Sequence, residues 1–405
     1  MSDLVTFLRD TAARHPERPA LRQDGDSRTY TDLDRQSARI ASLLRTRGIR
    51  KGDRVAVMVP NVPDFVAVYY GILRAGAVVV PMNPLMKERE VAYYLEDSGA
   101  ALVFAWHDGP ALTAERVADG RRVVAVEPTA FAGLLAEHAP LDSVVPVAAE
   151  DTAVILYTPG TTGTPRGAAL THGGLAHNTA ANATGVQRLT ADDVVLGCLP
   201  SFHTFGQTCA MNSAVYSGAS LVLLPRFEAA AALELIASEP VSVFAGAPTM
   251  YGALLHDSAA QDADLSSLRL CVSGGAPMPV ELLHEFELTF GCTILEGYGM
   301  SETGPVVTFN RPDRPRKAGS IGTPIRDVEV RLVDGGGDAP LGEIGDMAVR
   351  GPNLMKGLRA MKGLRASVKD RVAPSKYPRR IWLVDALPMG PSGKILKRAI
   401  TGPTS

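Results

Sequence analysis

The chain has 405 residues, which is too long for one ordinary hydrophobic core and predicts two or three domains. Hydrophobic residues make up 46% of the sequence and charged residues 21%, a normal balance for a globular protein. The formal net charge of −2 gives no electrostatic reason to expect nucleic acid or an anionic membrane as a partner.

The cysteines and the hydropathy pattern indicate where in the cell the protein is expected to be. Cys198, Cys209, Cys271 and Cys292 form no CxxC pair, and their spacing does not suit structural zinc. We therefore expect buried free thiols in a reducing environment. The N-terminus lacks the long apolar core of a signal peptide, and no run of about 18 apolar residues occurs, so we expect a soluble cytoplasmic protein without a transmembrane helix.

The first part of the chain alternates between helix and strand patterns. Apolar residues recur at helical spacing over residues 30–47, with Thr29 as an N-cap. The elements predicted next are a strand at 54–58, a helix at 62–75, a strand at 77–81, a helix at 91–97 and a strand at 101–105. This alternation predicts a parallel sheet covered by helices on both faces.

The alternation resumes after residue 151 and changes near residue 320. Further strands are predicted at 153–157, 194–199, 220–224, 241–245 and 268–273, with a helix at 175–183. Short alternating strands at 328–333 and 344–349 then flank the turn DGGGDAP. We predict an α/β fold, with a large N-terminal domain of parallel sheets at 1–350, a small β-rich subdomain at about 320–350 and a separate segment at 351–405.

Residues 355–360 and 361–366 both read MKGLRA. Two copies are too few for a solenoid, so we interpret this repeat as a junction or a small duplication.

A loop rich in glycine and threonine, YTPGTTGTPRG at residues 157–167, follows the strand predicted at 153–157. Glycines let the backbone approach an anion closely, and successive N–H groups and threonine hydroxyls can surround phosphate oxygens. Arg166 adds a fixed charge suited to a polyphosphate. The loop is not a Walker A sequence, and taken alone it is equally compatible with a flexible surface loop.

The octapeptide GYGMSETG at residues 297–304 places Glu302 among small residues. A carboxylate there can hold Mg²⁺, which prefers one or two carboxylates together with substrate phosphates. Tyr298 can stack on a base, and Ser301 can donate to a phosphate. In isolation, this octapeptide is better explained as a turn with a solvated glutamate.

A third segment, PMGPSGKILK at residues 388–397, presents Lys394 on a loop rich in proline and glycine. A lysine on such a loop can reach a pentavalent phosphorus or its leaving group. An ordinary exposed lysine is the more common case for any single lysine.

Together these segments resemble the adenylate-forming superfamily, which includes acyl-CoA synthetases, luciferases and the adenylation domains of peptide synthetases. The resemblance covers nearly the whole chain and rests on segments in the family's order: GDRVAVMVPN, YTPGTTGTPRG, LPSFHTFG, SGGAPM, EGYGMSETG, GSIGTPI, GEIGDMAVRGPN and PSGKILKR. It is strongest to fatty acyl-CoA ligases, because His203 in LPSFHTFG and a pocket segment rich in glycine and alanine favour acyl acids over amino acids.

The resemblance implies a two-step reaction. A carboxylate oxygen of a small-molecule acid, in particular a fatty acid, attacks the α-phosphorus of MgATP to give acyl-AMP and pyrophosphate. A thiol, of coenzyme A or of a carrier protein, then displaces AMP. Mg²⁺ is the implied cofactor, ATP and coenzyme A are implied substrates, and the sequence leaves a homodimer open.

The resemblance also implies site residues. The catalytic residues are Lys394, which orients the carboxylate and the α-phosphate, Glu302, which binds Mg²⁺, and His203 at the mouth of the acyl pocket. The implied ATP-binding residues are Thr158, Gly160, Thr161, Thr162, Gly163, Arg166, Gly274, Gly275, Ala276, Glu296, Gly297, Tyr298 and Ser301.

The sequence departs from the family pattern at three places. Pro159 stands where serine is usual, which removes a hydroxyl and an N–H donor, and Arg166 replaces the usual lysine. After GPNLMKG, the ribose-binding aspartate, the hinge and a Gly-rich hairpin are absent, so residues 351–405 resemble only a remnant of the C-terminal lid domain. We therefore expect weak or absent adenylation and still weaker thioester formation.

Two alternatives stay open. The first is a degenerate paralogue that binds a nucleotide or an acyl-adenylate without turnover, which the missing hinge and the repeat favour. The second is a sequence that lacks a segment present in the natural protein.

Overall fold

The computed structural model describes residues 3–109, 122–158, 165–261, 263–334, 337–338, 340 and 345–359. Within these ranges, none of the helices has both the length and the apolar character needed to cross a membrane.

The helices of the described chain are α1 Leu4–Arg14, α2 Tyr30–Thr46, α3 Pro63–Arg74, α4 Glu88–Ser98, α5 Pro128–Ala136, α6 His172–Ala181, α7 Ser213–Ser217, α8 Ala229–Ser238, α9 Pro248–His256 and α10 Val280–Phe290. Two π-helical segments, Asn182–Val186 and Gly206–Asn212, continue α6 and precede α7, and 3₁₀ turns span Ser258–Gln261 and Ser301–Thr303.

The strands are β1 Pro19–Gln23, β2 Asp26–Thr29, β3 Arg54–Met58, β4 Val78–Pro81, β5 Ala100–Trp106, β6 Arg122–Val126, β7 Thr152–Thr158, β8 Arg166–Thr171, β9 Val194–Gly197, β10 Ser220–Leu223, β11 Val243–Gly246, β12 Leu270–Ser273, β13 Thr293–Gly299, β14 Val306–Phe309, β15 Thr323–Pro324, β16 Glu329–Asp334, β17 Gly337–Asp338, β18 Asp346–Arg350 and β19 Gly357–Arg359.

Two large sheets hold most of these strands. The first has the order β15-β14-β13-β12-β11-β9-β10-β1-β2 and is parallel from β13 to β1. The second has the order β19-β8-β7-β4-β3-β5-β6 and is parallel from β7 to β6. Strands β4 and β9–β12 are buried at every position, as expected for parallel strands covered on both faces. The predicted α/β fold is confirmed.

Helix α2 shows how local sequence fixes one of the covering layers. Thr29 Oγ1 accepts from the Asp32 amide at 3.1 Å, and Asp32 Oδ2 accepts from the Thr29 amide at 3.0 Å, so the predicted N-cap is a capping box. The buried face of α2 packs on α3, where a Cβ at Gly71 would lie 2.5 Å from Ile40 Cγ2. This glycine lets the two helices approach closely enough to cover the sheet without a void.

The last described segment forms small antiparallel elements. Strands β16, β17 and β18 make a three-stranded sheet, which contains the two strands predicted at 328–333 and 344–349. Strand β19 pairs with β8, so part of the first MKGLRA copy is an edge strand of the second sheet and not only a junction. The second copy and the rest of the 351–405 segment, from residue 360 on, lie outside the described residues.

The four cysteines are buried and form no disulfide, which confirms the expectation of free thiols.

Candidate active site

The two parallel strands β12 and β13 end side by side and bring two predicted segments together. Ser273 pairs with Glu296 across the ladder, so Gly274 and Gly275 follow β12 beside Gly297 of β13. The carboxyl ends of parallel strands are where open α/β sheets form ligand crevices. The glycine-rich segments at 274–276 and 296–298 therefore meet at one edge of the first sheet.

A cavity of about 210 Å³ opens at this edge. Its lining comes from the turn before the second π segment, from the ends of β12 and β13, and from β14: His203, Thr204, Phe205, Gly274, Gly275, Gly297, Tyr298, Gly299, Met300, Ser301, Pro305, Val306 and Phe309. Six of these residues were predicted from the sequence, namely His203, Gly274, Gly275, Gly297, Tyr298 and Ser301. The other seven were missed, although all but Phe309 and Val306 lie inside or directly beside the motifs LPSFHTFG and EGYGMSETG.

Two glycines keep the cavity open. A Cβ at Gly297 would lie 2.3 Å from Phe309 Cε2, well inside van der Waals contact, so any side chain there would displace the ring. A Cβ at Gly274 would lie 3.2 Å from Phe205 Cζ. These positions need glycine because an aromatic ring packs directly against the backbone, and the space beside it remains available to a ligand.

His203 lies at the wall of this cavity and retains solvent exposure. Its Nδ1 accepts from the Phe205 amide at 3.3 Å, which leaves Nε2 as the protonated nitrogen of the neutral ring. Surrounding protein desolvates the imidazole and lowers its pKa below the ordinary value. His203 is therefore neutral at pH 7 and presents one N–H donor.

The acidic turn and the Gly/Thr-rich loop meet beside the cavity. Thr158, at the end of β7, donates through Oγ1 to Glu302 Oε1 at 3.3 Å. Arg166 pairs with Thr158 in the β7–β8 ladder, and its buried Nε has no partner among the described residues. The first and second sheets thus converge at Glu302, beside Thr158 at the start of the Gly/Thr-rich segment.

Several predicted residues of this loop lie outside the described residues, as does the third motif. They are Gly160, Thr161, Thr162, Gly163 and Lys394.

Two buried asparagines hold the turn that carries Glu302. Asn353 Nδ2 donates to Thr303 O at 2.7 Å and to Val306 O at 3.1 Å. Asn178 Nδ2 donates to the same oxygens, at 3.4 Å and 2.8 Å, and Asn178 Oδ1 accepts from the Val306 amide at 3.1 Å. The turn is therefore fixed from both sides by side chains from α6 and from the segment after β18. Sequence reasoning missed both asparagines.

The Gly/Thr-rich loop is fixed at both ends by helix α4. The Tyr157 hydroxyl donates to Asp97 Oδ2 at 2.6 Å, and its ring stacks on Tyr94 with centroids 4.1 Å apart. The Tyr93 hydroxyl donates to Pro165 O at 2.8 Å. The two ends of the loop are thus anchored although glycine and threonine dominate its centre. Tyr157 is the first residue of the motif, but no signal in the sequence marks Tyr93 and Tyr94.

Glu296 and Ala276 do not line the cavity. The Glu296 side chain is 8% exposed and turns to the segment that precedes β15, where Oε2 accepts from the Gly319 amide at 2.9 Å. Burial raises the pKa of this carboxyl, while the Gly319 amide and Arg316 oppose that rise. Glu296 therefore positions the 316–319 segment, and its side chain points away from the cavity. Ala276 is exposed just beyond it.

The described residues offer one carboxylate, that of Glu302, for the Mg²⁺ ion that the resemblance implies. Within the described ranges, no three His, Cys, Asp or Glu side chains form a group that could hold a metal. Glu302 stands beside the Thr158 hydroxyl and ahead of the Gly/Thr-rich loop. One carboxylate with phosphates and waters is the usual arrangement for Mg²⁺, which rarely occupies an all-protein cage.

The fold and the cavity place the chain among α/β proteins whose ligands bind at the carboxyl ends of parallel strands. The family whose model matches is the AMP-binding enzyme family, over residues 8–359, and the chain belongs to it.

Relatives and solved structures agree with this family. A long-chain-fatty-acid–CoA ligase of Bacillus subtilis is 34% identical over 391 residues, covering 87% of this chain and 70% of that enzyme. A feruloyl-CoA synthase of an Amycolatopsis species is 37% identical over 350 residues, covering 85% and 69%. The crystal structure of the anthranilate CoA ligase AuaEII with anthranoyl-AMP superposes with a TM-score of 0.83 at 26% identity, covering 88% of this chain and 70% of that one.

The resemblance to the adenylate-forming superfamily is confirmed, and with it the enzyme class, an AMP-forming acid–thiol ligase. AMP-binding acyl-CoA ligases use ATP and coenzyme A as substrates. The roles of the individual site residues and the domain boundaries stay predictions.

Proposed function

We propose that this protein activates an apolar carboxylic acid with ATP to form acyl-AMP and then transfers the acyl group to the thiol of coenzyme A. The observation that carries the proposal is the convergence of three distant motifs. His203, the glycine pair Gly274–Gly275 and the 297–301 segment share one cavity, and Glu302 contacts Thr158 beside it.

The proposed roles follow from the chemistry of each group. The neutral His203 ring donates through Nε2 to the acid at the mouth of its pocket. Ser301 donates to the α-phosphate or to the substrate carboxylate, and Tyr298 stacks on the adenine. These groups orient the carboxylate oxygen toward the α-phosphorus, and such positioning is worth several kcal/mol of the barrier.

The proposed groups that neutralise the phosphate charge lie around Thr158, Arg166 and Glu302. Arg166, with its unpaired Nε, and the Thr158 hydroxyl face the phosphates, together with the loop at 159–164. Glu302 holds Mg²⁺, whose charge offsets that of the phosphates when it is bound. Lys394, from the C-terminal segment, orients the carboxylate and the α-phosphate.

The cavity lining supports an apolar acid. Phe205, Met300, Pro305, Val306 and Phe309 present aromatic and aliphatic surface, and no charged side chain lines the described part of the cavity. We propose a fatty acid as the first substrate class to test. The relative named feruloyl-CoA synthase makes hydroxycinnamic acids the second.

We propose that residues 1–350 form the ATP- and acyl-binding domain, with the β-rich subdomain at about 320–350, and that residues 351–405 are a remnant of the lid. The pairing of β19 with β8 supports a direct connection between this segment and the sheet that carries the phosphate loop. The family's hinge moves the lid between the two half-reactions, so its absence is expected to impair thioester formation more than adenylation. The alternative is a protein that binds acyl-adenylate without turnover.

ATP–pyrophosphate exchange with a panel of acids tests the proposal. The panel runs from short to long fatty acids and adds benzoic and ferulic acids. We expect exchange with at least one apolar acid, reduced about a hundredfold in Glu302→Gln and kept in Glu17→Gln, a matched change at an exposed glutamate.

Equilibrium binding of AMP, measured in parallel, separates the alternatives. AMP binding without exchange for any acid would favour the non-catalytic protein. Absence of both would contradict the site itself.

A further inference from the structure

A second cavity, of about 220 Å³, lies at the opposite end of the same two strands. Leu270 and Thr293, the first residues of β12 and β13, form its floor, whereas the candidate active site begins at the last residues of these strands. Four arginines surround it, Arg188, Arg269, Arg314 and Arg316. We call this site the arginine cavity.

Two of these arginines are held in place by carboxylates. Arg269 makes a two-pronged ion pair with Asp193, Nε to Oδ1 at 2.8 Å and Nη2 to Oδ2 at 2.9 Å. Arg316 is bound to Glu287 and donates to Ile294 O at 2.8 Å. These contacts give the cavity a rigid, pre-positioned cationic wall, which is the arrangement that lets a planar guanidinium select an oxyanion.

The other two arginines are short of partners. Arg188 is 52% exposed, and its nearest carboxylate is Asp313, at 3.7 Å. Its backbone is left-handed, with φ of +50°, a conformation that costs a non-glycine residue roughly 1–2 kcal/mol. Arg314 is exposed and has no ion pair within the part of the chain that the structure describes. Two separate loops therefore keep these guanidinium groups at the cavity with donors to spare, and the loop of Arg188 does so with a strained backbone.

The charge at this cavity is unbalanced in a chain that is acidic overall. Four guanidinium groups line it, and among the described lining residues there is no carboxylate. Asp193 and Glu287 are committed to Arg269 and Arg316, and Asp313 is shared between Arg188 and Arg311. These carboxylates offset the charges of Arg269 and Arg316 but leave those of Arg188 and Arg314 only partly balanced, so the cavity attracts an anion.

We propose that the arginine cavity binds a phosphate-bearing anion. Guanidinium groups pair with phosphate oxygens through two parallel N–H bonds, and Arg188 and Arg314 have these donors free. Arg269 and Arg316, each paired with a carboxylate, form the fixed wall of the cavity. The site is separate from the candidate active site, so it holds whether or not the chain turns over.

Isothermal titration calorimetry with inorganic pyrophosphate, inorganic phosphate and AMP, against sodium chloride at matched ionic strength, tests this proposal. The variant is R188Q/R314Q, which removes two charges from exposed side chains. The matched control is R9Q/R45Q, which removes the same net charge from exposed arginines on α1 and α2. The three probes distinguish a free phosphate from the phosphate of a nucleotide.

We expect saturable binding of at least one phosphate probe to the wild type and the control, with an affinity about tenfold or more weaker in R188Q/R314Q. Pyrophosphate binding at the candidate active site would be unaffected by this variant, so it cannot produce that difference. Thermal unfolding gives a second readout. Phosphate should raise the melting temperature of the wild type and not that of R188Q/R314Q. Equal affinity in all three proteins, or no binding to the wild type, would overturn the proposal.

Discussion

The two asparagines that hold the Glu302 turn make a sharp prediction, because they share the same two carbonyl acceptors. In Asn353→Ala, Val306 O keeps the Asn178 donor at 2.8 Å, but Thr303 O keeps only a contact at 3.4 Å. In Asn178→Ala, both oxygens keep Asn353, and the Val306 amide loses its acceptor. Each single change therefore leaves about one buried group unsatisfied.

One unsatisfied buried group costs about 1–3 kcal/mol, so each single variant should lose that much stability. For a chain of 405 residues, this corresponds to a melting temperature lower by about 1–4 °C. In the double variant, Thr303 O, Val306 O and the Val306 amide are all unsatisfied. We therefore expect it to lose about 1–3 kcal/mol more than the two single variants together.

Urea unfolding of the four proteins in this cycle measures the coupling. Asn182→Ala is the control, because Asn182 is equally buried but its donor bond, to Ser213 Oγ at 2.9 Å, lies in the π-helical region. It should cost similar stability and leave AMP affinity unchanged, whereas the Asn178 and Asn353 variants should weaken AMP binding. Strictly additive losses, or unchanged AMP affinity in the double variant, would refute the reasoning.

Three further changes test other parts of the account. Gly297→Ala forces a methyl group into the Phe309 ring and should reduce acid-dependent exchange about a hundredfold. Gly185→Ala is the control, because no atom lies within 4 Å of a Cβ there, and it should leave exchange unchanged. Similar exchange rates in the two variants would contradict the close packing at Gly297. Glu302→Gln should lower exchange about a hundredfold at saturating Mg²⁺ and shift the melting temperature little, and full activity would exclude Glu302 as the magnesium ligand. Burial lowers the pKa of His172 to about 4 in the folded protein, whereas the ordinary value is 6.5. As the pH falls from 6.5 toward 4, His172 is protonated in the unfolded chain but not in the folded protein, so the folded protein loses stability over this range. Urea unfolding should show about 2 kcal/mol less stability at pH 5 than at pH 7 from this group, and His172→Gln should remove that part of the slope.

Most of the parallel strands were predictable to within a few residues because they are apolar runs bounded by turns, whereas the parallel strands β1, β6 and β13 were missed. Residues 54–58 were predicted and observed as a strand with the same limits. The antiparallel strands β2, β8, β14, β15, β17 and β19 were also missed. Most of these strands are short, and β8 begins within the motif that was interpreted as a loop, so neither alternation nor an apolar run distinguished them.

In the candidate site, too, some residues could be proposed from the sequence and others could not. Dense motifs, whose residue types suit phosphate and carboxylate chemistry, allowed the sequence to propose His203, Gly274, Gly297, Ser301 and Glu302 as site residues. Their supports were not predictable from a single sequence, because each is an ordinary residue whose partner is distant. Asn178 and Asn353 contact Val306 across 128 and 47 positions of the chain, and nothing local marks either one. Glu296 shows the converse, since its motif position drew attention to a side chain that serves another segment.

Binding of a stable acyl-sulfamoyl analogue of acyl-AMP tests the central claim most directly, because it reports on the site without requiring the lid. The account predicts one-to-one binding about a hundredfold or more tighter than AMP, since the analogue fills the acid and nucleotide parts of one cavity together. It also predicts that Gly297→Ala weakens this binding. Affinity no greater than that of AMP, or an analogue that binds equally well when Gly297 is replaced, would contradict the account.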